Sequence, residues 1–99
     1  METQAEPRKE RRAYRRMMRA FDRIRPMQAY VEGRLHDRLK DTNLGVYAIY
    51  GVMRGETEPS AFLALTETTT RDGITQERYL VETHNPNDVL RYFDMDMED

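Results

Sequence analysis

Arginine carries most of the usable chemistry in this chain, and it is concentrated. Arg8, Arg11, Arg12, Arg15, Arg16, Arg19 and Arg23 recur at one- to four-residue steps in the run RKERRAYRRMMRAFDRIR. From Arg8 to Arg25, nine of eighteen residues are Arg or Lys and only Glu10 and Asp22 oppose them, a local charge of +7. Charge packed this densely repels itself unless a negative surface screens it. A guanidinium offers a planar fork of donors that matches phosphate or carboxylate oxygens in pairs, so Arg in place of Lys favours bidentate contacts over plain attraction. At ~100° per residue these arginines gather on one side of a helix, and Ala13, Tyr14, Met17, Met18, Ala20, Phe21 and Ile24 gather on the other. The basic side spans roughly 25 Å of axis, suited to a row of backbone phosphates along RNA or DNA.

Other chemistries are poorly supplied. Cysteine is absent, which removes disulfides, zinc–thiolate sites and thiol nucleophiles. His36 and His84 are the two imidazoles, each isolated in sequence and read as a surface or internally satisfied residue. Asp94, Asp96, Glu98 and Asp99 lack the glycine and spacing of a calcium loop, so no metal is expected. Thr66, Thr68, Thr69 and Thr70 read as ordinary strand residues with no adjacent base. Gly51 and Gly55 flank Val52-Met53-Arg54 at a strand end and do not open a helix, so they are no phosphate loop. Tyr47, Tyr50, Phe62 and Tyr79 could stack bases from a sheet face, but core packing is the better account of them. The expectation is a protein without catalytic activity and without a cofactor.

The elements that position the arginines follow from local signals. Pro7 suits a first helical turn, and residues 7–25 read as one helix that Pro26 ends or kinks. Met27, Tyr30, Val31, Leu35 and Leu39 mark a second helix up to Lys40, with Gly33 as a weak spot and Asp41-Thr42-Asn43 as its close. Then LGVYAIYGVM, AFLALTETTT and ITQERYLVETH read as three strands, the last two joined by a tight turn at Asp72-Gly73. In the third strand, Tyr79, Val81 and Thr83 are expected on one face, with Arg78, Leu80 and Glu82 on the other. Asn85-Pro86 caps a short helix carrying Val89, Leu90, Tyr92 and Phe93, and DMDMED follows as an acidic tail.

The fold expected is therefore α+β: two N-terminal helices, a three-stranded antiparallel meander and a short C-terminal helix, in the order α-α-β-β-β-α. Ninety-nine residues fit one domain, 1–99, in which helix 7–25 is free to project as an arm. The longest apolar-leaning stretch, Leu44 to Met53, is about half a membrane span, and a soluble cytoplasmic protein with no membrane partner is expected. The net charge of −2 conceals two unlike parts. Residues 1–40 hold 12 basic and 6 acidic groups (+6), whereas 41–99 hold 4 basic and 12 acidic groups (−8).

Over about ten residues, RKERRAYRRM resembles in composition the arginine-rich RNA-binding helices of phage antitermination proteins. An order of one helix, three strands and one helix also resembles the double-stranded-RNA-binding domain. That family carries a basic cluster at the start of its last helix, where this chain has Asn85-Pro86-Asn87-Asp88. The sequence thus points to a binding protein that meets RNA, DNA or a nucleoprotein complex through Arg8, Arg11, Arg12, Arg15, Arg16, Arg19 and Arg23. Small size and charge asymmetry suit a phage or mobile-element accessory protein, or an inhibitor of a defence nuclease whose acidic residues imitate phosphates. The alternative is a protein-interaction module in which the basic helix pairs with an acidic protein surface or with a second copy of the chain.

Overall fold

A computed structural model describes residues 8–95, so Pro7 as a helix start and residues 96–99 of the acidic tail lie outside it. A long helix, α1 (Arg8–Arg34), is followed by one turn of helix, α2 (His36–Leu39). Strands β1 (Leu44–Val52), β2 (Pro59–Arg71) and β3 (Ile74–Thr83) form an antiparallel sheet in the order β1-β2-β3, and α3 (Pro86–Tyr92) closes the chain. The α+β class and the order of elements are those expected from the sequence.

Pro26 neither ends α1 nor starts a new helix, contrary to expectation; it sits inside α1 with its ring on the exposed side. Proline in a helix interior costs about 3 kcal/mol. Tertiary burial offsets that cost, because Ile24, Met27, Val31 and Leu35 continue one apolar stripe through the proline and meet the sheet. Ile24 is nearly buried and Val31 and Leu35 fully so, each worth about 1.5–3 kcal/mol. Just past the proline, Gln28 Nε2 donates to the Val46 carbonyl at 3.1 Å and ties the helix to β1. The interruption falls instead at Leu35, whose φ of −100° and ψ of 9° leave the helical region while its side chain stays in the core. The second helix expected from Met27 is thus mostly the continuation of the first.

Asp41 takes a positive φ of 61°, and Thr42 Oγ1 donates to the Leu39 carbonyl and accepts from the Leu44 amide at 3.1 Å. Asp41-Thr42-Asn43 therefore closes the helical region as expected. Between β2 and β3, Asp72 and Gly73 have φ of 55° and 78°, the geometry of a two-residue hairpin turn with both central residues left-handed. Asn85 caps α3 by accepting from the Asn87 amide at 2.9 Å, with Pro86 in the first turn.

The core lies on one face of the sheet, where Val46, Leu63 and Leu65 meet Ile24, Val31 and Leu35 of the helical region and Val89 and Leu90 of α3. The opposite face follows different rules. Phe62, Ala64 and Thr66 on that face are also buried, although Phe62 and Ala64 do not belong to the helix-side cluster. On this side the β1–β2 loop is tied to β3: the Arg54 amide donates to Glu82 Oε1 at 2.9 Å and its Nη2 lies 3.1 Å from Oε2.

The expected alternation in β3 fails at one point. Thr66 pairs with Tyr79 but Leu65 pairs with Val81, so Leu80 is an extra residue, a β-bulge. Val81 and Thr83 share the core face with Leu65 and Leu63, whereas Tyr79 lies on the opposite face beside Thr66. Leu80 and Val81 consecutively both pack against the core cluster, which strict alternation would forbid.

Candidate nucleic-acid interface

Because α1 runs unbroken for 27 residues, about 40 Å, its basic row from Arg8 to Arg23 is one rigid surface of roughly 25 Å. Arg8, Arg11, Arg12, Arg15, Arg16, Arg19 and Arg23 are all exposed along it. Among the described residues, none of these seven forms an ion pair or hydrogen bond with the rest of the chain. The ion pairs found use other arginines: Arg25 with Asp22 at 3.5 Å, Arg54 with Glu82, Arg78 with Glu67 at 3.0 Å, and Arg91 with Asp88 at 2.8 Å. The acidic half therefore does not neutralise the basic arc within the described part of the molecule.

The first turns of α1 stand clear of the core. From Arg11 to Arg16 every side chain is exposed, including Ala13 and Tyr14 of the apolar stripe, the latter at 58%. Met17 and Met18 are half-buried, and the first buried side chain is Ile24. Downstream, Phe21 packs on Tyr50 of β1, their ring centroids 6.1 Å apart, and Arg25 lies over the Phe21 ring at 5.5 Å.

Where α1 leaves the sheet, it borders a groove of about 390 Å³. One wall is helical, with Arg16, Ala20, Arg23, Ile24 and Met27; the other is the end of the sheet, with Tyr50, Pro59, Ser60, Ala61 and His84. The smallest side chains of the two walls are Ala20 on the helix and Ala61 on the strand. Ser60 Oγ and His84 Nε2 are 2.8 Å apart, a hydrogen bond across 24 residues of sequence. The structure thus brings Arg16 and Arg23 to a groove but leaves Arg8, Arg11, Arg12, Arg15 and Arg19 outside its walls. Ser60 and His84 were not legible as site residues, since neither has a chemical partner nearby in sequence.

The Ser60–His84 distance is one that a nucleophile and its base would use. Among the described residues, however, no carboxylate bonds the imidazole to orient it, so the pair reads more simply as a cross-strand hydrogen bond at the end of the sheet. The other imidazole, His36, is exposed on α2. Among the described residues no helix is long and apolar enough to cross a membrane, and no three His, Asp or Glu side chains gather as a metal site.

Compared with known proteins, the chain matches no family model, no curated relative and no solved structure.

Proposed function

We propose that this chain is a non-enzymatic binding protein that engages nucleic acid, or a nucleic-acid-processing complex, through the basic side of α1. The observation that supports this most is the row of seven exposed arginines without an ion-pair partner among the described residues. Self-repulsion along such a row is relieved when phosphates enter and counterions are released. The helical backbone of α1 adds to this, because the segment that carries the guanidiniums is folded before binding and less backbone entropy is lost on contact. Such a small partner fits the role of a phage or mobile-element accessory protein, including one that blocks a nuclease.

The test is a titration of fluorescently labelled RNA and DNA at 50 and 200 mM salt. For about four phosphates contacted, affinity falls roughly 50-fold between the two for a single strand and roughly 150-fold for duplex DNA. No binding at 50 mM salt contradicts the proposal.

A second reading, self-association, draws on the acidic side chains of the sheet region. Glu56, Glu58, Asp72 and Glu77 are exposed and, like the arginine row, unpaired among the described residues. A salt-sensitive dimer on a sizing column, together with absent nucleic-acid binding, favours this reading.

A further inference from the structure

We infer that the groove between α1 and the end of the sheet takes one unpaired nucleotide, so that the chain prefers single-stranded over double-stranded nucleic acid. This rests on the functional reading above and adds to it: a basic helix by itself attracts any polyanion, duplex or single strand, in proportion to charge. The groove supplies discrimination of a different kind.

Its parts divide as a nucleotide does. Arg16 and Arg23 are seven residues apart and so lie about 10 Å apart along the helix, with Ala20 between them. Both guanidiniums are exposed and unpaired among the described residues, leaving their donors for phosphate oxygens. Ser60 and His84 belong to the opposite wall, but strand alternation turns the Ser60 hydroxyl, with the His84 imidazole bonded to it at 2.8 Å, toward the Phe62 face. Beside the arginine rim lie Ile24, Met27, Tyr50 and Ala61, an apolar bed for a base or sugar. A volume of about 390 Å³ is at the small end of the range of ligand sites and suits one nucleotide unit. In a duplex the bases are stacked and paired, so only a strand with a splayed base can fill such a bed.

The fold also explains why the groove stays open. Phe21 packs on Tyr50, and Ala20 and Ala61 are the smallest side chains of the two walls. Replacing Ala20 with a larger residue should therefore obstruct the groove without removing any charge.

The experiment compares a labelled ten-nucleotide single strand with the corresponding duplex, by fluorescence anisotropy at one salt concentration, using the full chain. The expected result is a single-strand preference of about ten-fold or more, the scale of one stacked base. Ala20→Phe and Ala20→Met should each lower single-strand affinity about ten-fold and leave duplex affinity unchanged, with wild-type circular dichroism. Equal affinity of the wild type for both probes overturns the inference and leaves the basic-helix reading standing. So does an unchanged preference in Ala20→Met, a good helix former at a half-buried position that is expected to fold even if Ala20→Phe does not. Failure of the wild type to bind either probe sinks the functional reading itself.

Discussion

Arg54 and Glu82 are locked together across the sheet, with the Arg54 amide 2.9 Å from one carboxylate oxygen and its guanidinium 3.1 Å from the other. The Glu82 side chain is only 12% exposed, and the contact ties the β1–β2 loop to β3. The β-bulge at Leu80 makes this possible. Counting outward from the Arg71–Ile74 pair without a bulge would set Leu65 opposite Leu80 and turn Glu82 toward the core. With it, Glu82 pairs with Ala64 on the opposite face.

Glu82→Ala removes both contacts and frees the loop from β3. A loss of about 1–3 kcal/mol is expected for deleting the acceptor of a charged hydrogen bond. Urea denaturation measures it, and Arg54→Ala should lose less, because the Arg54 amide can still reach Glu82.

Pro26→Ala restores a helical hydrogen bond at an exposed position that the core already forces to be helical. The expected outcome is a gain in stability, up to about 3 kcal/mol, with nucleic-acid binding unchanged. A destabilised Pro26→Ala variant would show that the backbone there is not helical as described.

Arg12, Arg16 and Arg19 changed together to Glu reverse the centre of the basic row. Since none of the three contacts the core or an internal acid among the described residues, the melting temperature should shift by only a few degrees. Binding to RNA or DNA should disappear at 50 mM salt. Unfolding of this variant would mean that the arginines act structurally.

Gly73→Ala probes the hairpin. The turn holds φ at 78°, where a Cβ costs about 1–2 kcal/mol even though the space around Gly73 is open. Thermal melting should register that loss, whereas Asp72→Gly, at φ 55°, should be near neutral.

The parts legible in the sequence are those whose cause lies within a few residues. Asp72-Gly73 encodes its own turn, Asn85-Pro86 its own helix start, and the arginine spacing its own helical side, because φ preferences, caps and the 3.6-residue period are local properties. The continuity of α1 was not legible, because the cost of Pro26 is local whereas the burial of Val31 and Leu35 that offsets it comes from a sheet that begins at Leu44. The same holds for β3, where one inserted residue at Leu80 reverses the faces of everything after it and no local residue type announces the insertion. The groove depends on both. Arg16 and Arg23 belong to the sequence's own basic row, but Ser60 and His84 meet only once β2 and β3 are paired. Local chemistry chose the charged side of the helix; long-range packing decided where that helix lies on the sheet and which groove its arginines border.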